Sequence, residues 1–337
     1  MPQTNPTRFT RRAIVGASLA ATAIGLTGAT GRAQTPSPAS GEWSFTDDKG
    51  VMVTLPELPK KLVLDVNVAA PLWDFGIRPT ALFGWNATES GDLGAAGGNI
   101  DPEGIPIVGD TTEPIKLEDV LAVEPDVIIT LTWAPDDPQD YWSIDAELLD
   151  QVKAIAPIIA MSATGRADEN TERMAELAAA LGADLDSDEL TAAREAYTAA
   201  STAFDEKMTA SSDLVAAFWA FDGEAPYIAS PPDWADLNMY LERGMNIVLP
   251  DAAPGTFWEM LSPEQALKYP SDLFFTSTRP GSFTPEELKN HSTFSQHPAI
   301  KAGQVYSWNQ DFIQSYQGMT DAMDAIRTDF AGAKKVI

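Results

Sequence analysis

The chain has 337 residues, 44% of them hydrophobic and none of them cysteine. That is enough apolar material for one large domain or two lobes, and it excludes disulfides, cysteine-ligated zinc, iron–sulfur clusters and thiol nucleophiles. The formal net charge of −27 describes a surface that repels nucleic acid and anionic lipid.

At the N-terminus, Thr10-Arg11-Arg12-Ala13-Ile14-Val15 opens a stretch of small and apolar residues that runs to about Gly31. Arg8, Arg11, Arg12 and Arg32 are the only charged residues among the first 33. A basic start, an apolar middle and the small-residue exit Gly31-Arg32-Ala33 read as a secretory signal over 1–33, and the paired arginines point to the twin-arginine route. A permanent membrane helix fits less well, because the segment is rich in Ala, Gly and Thr. Without residues 1–33, 18 basic residues face 49 acidic ones and the net charge becomes −31. The protein is therefore expected on the outer side of the cytoplasmic membrane, in the periplasm or its equivalent.

Residues 34–41 form a Pro- and Ser-containing lead-in. Short apolar runs then alternate with amphipathic stretches. Leu62–Leu64 leads to a loop at Asn67, Ala81–Gly84 to Trp85, Asp126–Leu131 to Trp133, and Ile155–Met161 to Arg166. Helices are expected between them at Leu117–Val123 and Asn170–Leu181. This alternation argues for an α/β lobe with a mostly parallel sheet over 42–185.

From Asp186 to Met208 the pattern changes to one helical segment with no Gly or Pro. Leu190, Ala193, Tyr197, Phe204 and Met208 share a stripe, and Asp186 with Glu189 has capping-box spacing. A linking helix over 186–209 spans about 33 Å. Alternation resumes in 210–337, with strands expected at Leu214–Phe221, Leu273–Thr276 and Gln304–Trp308 and helices at Leu237–Arg243 and Met319–Phe330.

Residues 117–129 and 263–275 echo one another across the helix. Glu118 matches Glu264, Leu121 matches Leu267 and Asp126 matches Asp272. The simplest architecture is two Rossmann-like α/β lobes joined by a single long helix. Ligands of open α/β sheets bind beyond the carboxyl ends of strands, which puts the cleft between the lobes.

Asn67, Trp85, Trp133, Arg166, Phe221, Tyr227, Arg279 and Trp308 follow the expected strands. Of these, Trp85, Trp133, Arg166, Tyr227, Arg279 and Trp308 are the candidate ligand-binding residues. Aromatic rings offer rigid amphipathic contact surfaces, although each could equally cap the core. Guanidinium suits carboxylate, hydroxamate or catecholate oxygens, although each arginine could equally pair with an acid. An enzymatic reading finds little to build on. His291 and His297 are six apart, which is not a helical ligand pair, and neither a Gly-x-Ser-x-Gly elbow nor a P-loop is present.

The sequence resembles the class III solute-binding proteins of ABC importers for ferric siderophores, haem and cobalamin. The resemblance is carried by Pro59-Lys60-Lys61-Leu62-Val63-Leu64, Phe75-Gly76-Ile77-Arg78-Pro79, Ile107-Val108-Gly109, Leu117-Glu118 through Glu124-Pro125-Asp126-Val127-Ile128-Ile129, Leu261-Ser262-Pro263-Glu264, and His297-Pro298-Ala299-Ile300-Lys301-Ala302-Gly303-Gln304-Val305-Tyr306. It implies two lobes on one helix with little lobe motion. It also implies a glutamate on each lobe, Glu118 and Glu264, that docks on permease arginines. The protein is then a monomer that captures a ferric chelate and delivers it to an ABC permease, with no resident cofactor or metal and no enzymatic activity. Haem or cobalamin are the alternative ligands, with Tyr227 as a candidate haem ligand and His297 read as scaffold. A sensor role and an exported enzyme on the same scaffold are the remaining alternatives. No cysteine is present for the family's lipid anchor.

Overall fold

The structure is a computed structural model that describes residues 41–337 apart from Glu224 and Ala266. The expected signal over 1–33 and residues 34–40 of the lead-in lie outside the described residues.

A short antiparallel hairpin, β1 (Trp43–Thr46) and β2 (Met52–Leu55), precedes the first lobe. That lobe contains β3 (Leu62–Asp65), α1 (Val66–Asp74), β4 (Ala81–Phe83), α2 (Leu117–Val123), β5 (Val127–Thr132), α3 (Leu149–Ile155), β6 (Ile158–Ser162) and α4 (Ala167–Ala180). Its sheet has the order β4-β3-β5-β6, with every pair parallel. The long helix α5 (Asp188–Ala210) follows. The second lobe contains β7 (Ala216–Asp222), β8 (Ala225–Ala229), α6 (Ala235–Glu242), β9 (Trp258–Met260), β10 (Leu273–Ser277), α7 (Pro285–Asn290), α8 (Pro298–Lys301), β11 (Val305–Trp308) and α9 (Tyr316–Ala331). Its sheet runs β11-β10-β7-β8-β9, parallel across β11, β10 and β7 and antiparallel at β8 and β9.

Both sheets are covered on two faces, so β3, β4, β5 and β10 are buried along their whole length, while β11, at the sheet edge, is open at Ser307. Alternate residues serve different cores. Val63 and Ile128 face a core closed by α2 and α3, and Ala217, Trp219 and Phe274 face one that includes residues of α7 and α8. Leu62, Leu64, Val127 and Ile129 face the opposite way, as do Ala216, Phe218, Leu273 and Phe275. These belong to one continuous core shared with α1, α4, α5, α6 and α9. Apolar packing therefore runs unbroken from one sheet to the other. Helix α5 packs on α9, with Tyr197 stacked on Tyr316 at 5.7 Å.

Four local expectations are corrected. Asn67 is not in a loop: β3 runs directly into α1, capped by Asp65, whose carboxylate accepts from the Asn67 backbone N–H at 2.9 Å. Pro71 inside α1 reads in sequence as a breaker, which hides the helix. The cap of α5 is Ser187, whose hydroxyl accepts from the Leu190 N–H at 3.3 Å, rather than Asp186. Tyr227 lies within strand β8, because Asp222-Gly223 turns the chain back with Gly223 at φ 56°, a hairpin signal. The helix expected by analogy near Glu264 is a single 3₁₀ turn, Pro263–Gln265.

The internal echo has a physical counterpart nonetheless. Asp126, before β5, accepts from the backbone N–H groups of Lys60 and Lys61 just ahead of β3 (2.7 and 2.8 Å). Asp272, before β10, accepts from the Val215 N–H just ahead of β7 (2.8 Å). In each lobe an aspartate fastens the start of the neighbouring central strand.

Candidate functional site: an aromatic cleft between the lobes

A cleft of about 390 Å³ is lined by residues that follow β4, β5, β8, β10 and β11 and by the start of β9. From the first lobe come Asn67, Trp85, Asn86, Leu131, Trp133 and Trp142. From the second come Trp234, Thr256, Phe257, Trp258, Arg279 and Asp311.

The rings pack edge-to-face, as aromatic quadrupoles favour. Trp133 meets Trp142 at 5.9 Å, and across the lobes it meets Trp234 at 6.1 Å and Phe257 at 5.4 Å. Trp234 in turn touches Trp258 at 5.0 Å and Trp308 at 5.5 Å. Trp85 leaves 44% of its surface open to solvent at the first-lobe rim.

Backbone locks hold these rings. The Asp140 carboxylate accepts from the N–H groups of Trp133 and Ala134 (2.6 and 2.7 Å) and from the Thr132 hydroxyl (2.7 Å). Phe257 sits at φ 62°, a region uncommon for a bulky residue. It is held there by Asp233, which accepts its N–H at 3.2 Å, and by Trp234, whose indole donates to its carbonyl at 2.9 Å. Asp65 accepts from both nitrogens of Asn67 and from the Ser143 hydroxyl at 2.6 Å, and full burial pushes its pKa up to about 6. Gly84 lies over that carboxylate, where a Cβ would come within 2.4 Å of Asp65 Oδ2.

The structure brings Trp85, Trp133 and Arg279 to the cleft and places the other candidates elsewhere. Trp308, only 2% exposed, supports the wall from behind and donates from its indole to Asp236 at 2.7 Å. Phe221 is buried in the core of the second lobe. Tyr227 lies beside Trp258 at 6.3 Å and is not among the cleft-lining residues. Arg166 is also outside the lining. Its guanidinium is paired with Asp168 (2.6 Å) on its own helix and with Glu242 of α6. Arg243, at the end of α6, reaches back to Asp168 and to Asp205 of α5, both at 3.0 Å. Burial alone would raise the Asp168 pKa, but the two arginines hold it below the usual carboxylate range. These arginines tie α4, α5 and α6 together.

Arg279 is the one cationic residue among the described residues lining the cleft. It is bound to Asp311, 2.6 Å from Nη2, and its guanidinium carbon lies 5.9 Å from the Trp234 ring centre. The wall is therefore aromatic and locally close to neutral. His297 is scaffold: it is buried, it caps α8 through Nδ1, and Nε2 donates to the Tyr269 carbonyl at 3.1 Å. Burial lowers its pKa. Glu118, in the first turn of α2, and Glu264, in its 3₁₀ turn, are both exposed.

The sequence reading missed Trp142, Trp234, Phe257 and Trp258. The last three had a usable signal, since they follow the Pro-rich segment Pro231-Pro232-Asp233 and the turn Pro254-Gly255-Thr256, where loops carry function.

Residues 86–312, which span the cleft, match the family described as periplasmic binding protein. The chain belongs to that family. Its fold is that of the two-lobed class III periplasmic binding proteins. Among solved structures it is similar to DesE, a ferric-siderophore receptor protein from Streptomyces coelicolor, at 30% identity and TM-score 0.80 over 88% of this chain and 100% of that one. Two further structures share the fold at lower identity. The petrobactin-binding protein YclQ of Bacillus subtilis matches at 14% identity and TM-score 0.65, over 87% of this chain and 99% of that one. Staphylococcus aureus SirA, complexed with staphyloferrin B, matches at 16% and 0.61, over 86% and 99%. No curated protein matches the sequence significantly. Among its described residues, this periplasmic binding protein has no helix long and apolar enough to cross a membrane.

Proposed function

We propose that this periplasmic binding protein is exported, captures a ferric siderophore in the aromatic cleft and delivers it to an ABC importer. The observation that carries the reading is the convergence of tryptophan and phenylalanine rings from both lobes on one cleft at the strand ends. Broad flat rings suit the apolar flanks of a bulky chelate, and the chelate brings the donor atoms for its own iron. Similarity to a ferric-siderophore receptor at 30% identity supports the same reading.

The charge of the cleft narrows the ligand. Because Arg279 is paired with Asp311 and Arg166 lies outside the lining, little positive charge is on offer for a polyanionic catecholate. A hydroxamate chelate of low charge suits the site better. Haem is less well served, since neither histidine nor tyrosine is among the lining residues. Trp85, Trp133 and Arg279 are the sequence-derived candidates retained for ligand contact. Trp308 takes a supporting role behind them, and Arg166 a role in joining the lobes.

Delivery would use Glu118 and Glu264, one exposed acid per lobe. Each is followed three residues later by an exposed leucine, Leu121 or Leu267, so each lobe offers a carboxylate beside an apolar contact.

Tryptophan fluorescence of the iron-free protein, titrated with ferric hydroxamate, ferric catecholate, haem and cobalamin, tests the ligand. Saturable quenching by a ferric hydroxamate, weakened at least tenfold by Trp133→Ala, is the expected result. Response to haem or cobalamin alone would overturn the siderophore assignment.

A further inference from the structure

A second cavity of about 50 Å³ adjoins the cleft and shares six lining residues with it, among them Trp133, Trp234 and Arg279. Its own additions include Gln310 and Gln314, from the segment after β11, and Asp236 in the first turn of α6. Three polar atoms on its lining residues are buried with no hydrogen-bond partner in the protein: Trp133 Nε1, Gln310 Nε2 and Gln314 Oε1.

Gln310 is only 7% exposed, and its Oε1 accepts from the Ser277 hydroxyl. That bond orients the amide and leaves Nε2 as an unused donor. Buried donors and acceptors are rarely left unmade in folded proteins, and three such atoms on residues that line one cavity point to a guest with complementary polarity. Two are donors and one is an acceptor, so the guest must both accept and donate. An ammonium group cannot answer the donors. A carboxylate cannot answer the acceptor, and it would meet an arginine already neutralised by Asp311. A single water needs about 10–15 Å³ of such space, so the cavity has room for a larger group.

We propose that this annex is a polar subsite for one uncharged amide group of the bound siderophore. The amide carbonyl accepts from Gln310 Nε2 and Trp133 Nε1, and its N–H donates to Gln314 Oε1. Specificity then has two parts: the rings hold the body of the chelate, and the annex reads the linker between its iron-binding groups. This inference rests on the siderophore reading of the cleft.

The test compares two ferric trihydroxamates of equal denticity, one with amide linkers and one with ester linkers, titrated against the full-length mature protein by tryptophan fluorescence. An ester keeps the carbonyl and lacks the N–H. The wild-type protein should prefer the amide chelate by about tenfold, the effect of one well-made buried hydrogen bond. Gln314→Leu should bring the ratio within about twofold, whereas Gln310→Leu, which removes the donor to a carbonyl that both chelates carry, should weaken both; each variant is checked for folding by its melting curve. Equal binding of both chelates by the wild type, or a preference that survives Gln314→Leu, would overturn the subsite and leave the cavity to structural water. Binding of neither chelate would overturn the hydroxamate reading of the cleft together with the subsite.

Discussion

Asp65 illustrates how one buried side chain arranges a binding wall. It ends β3, caps α1, orients Asn67 and receives the Ser143 hydroxyl, all beneath Gly84 and next to the chain that carries Trp85. Its pKa of about 6 arises because burial outweighs the hydrogen bonds from Ser143 and Asn67. The folded-state value lies above that of an unfolded aspartate, so the folded protein binds more protons between about pH 4 and pH 6. The contribution of Asp65 to stability is present below that window and is lost as the pH rises through it. Asp65→Asn should therefore gain stability relative to the wild type from pH 4 to 6, by up to roughly 3 kcal/mol, and hold that gain above pH 6. Urea unfolding of both proteins across that range checks it, and a constant difference would contradict the assignment. The role of this residue is only partly legible in sequence. Asp65 follows an apolar run, as many turn residues do, and only the approach of Ser143, 78 positions away, makes it a buried acceptor.

At the scale of elements, the ion pairs among α4, α5 and α6 form the seam between the lobes. Asp168 receives both Arg166 and Arg243, and Arg243 also reaches Asp205. Asn238 adds a bond from its side chain to the Gly165 carbonyl at 2.8 Å. Removing Asp168 leaves two partly buried guanidinium groups short of a partner. Asp168→Ala should destabilise the protein by about 2 kcal/mol, read as a lower urea midpoint with an unchanged slope. The loss should be largely retained in Asp168→Asn, which cannot neutralise both arginines. No change in midpoint would mean that the shared apolar core alone holds the seam. Sequence reasoning gave Arg166 a place in the cleft because it follows a strand. It did not foresee that Arg166 turns toward Glu242, because the angle between α4 and α6 is set by packing.

The whole molecule combines a rigid frame with a cleft on one edge and acids on both lobes. An uninterrupted α5 of 23 residues makes a poor hinge, and the core that continues from sheet to sheet opposes wide opening. In the proposed role, capture depends on a largely preformed site, and the frame holds Glu118 and Glu264 at fixed spacing. Glu118→Ala combined with Glu264→Ala should leave the fluorescence titration unchanged and abolish uptake in vesicles carrying the cognate permease. Unchanged transport would remove these glutamates from the docking surface.

Local sequence determined the alternation of apolar runs and amphipathic helices, the uninterrupted linking helix and the paired Glu–Leu–Asp positions on either side of it. Each of these is a short-range pattern, fixed by the period of a helix or strand and by the turn residues between them. Only the tertiary structure decided which aromatic rings meet in the cleft, which arginine is neutralised there and which joins the lobes, and which residues with unpartnered polar atoms line one small cavity. Those facts depend on contacts between residues tens to hundreds of positions apart. The physical reason is packing: the two sheets share a continuous core, and its shape sets the relative positions of the loops that carry Trp133, Trp234, Arg279 and Gln310.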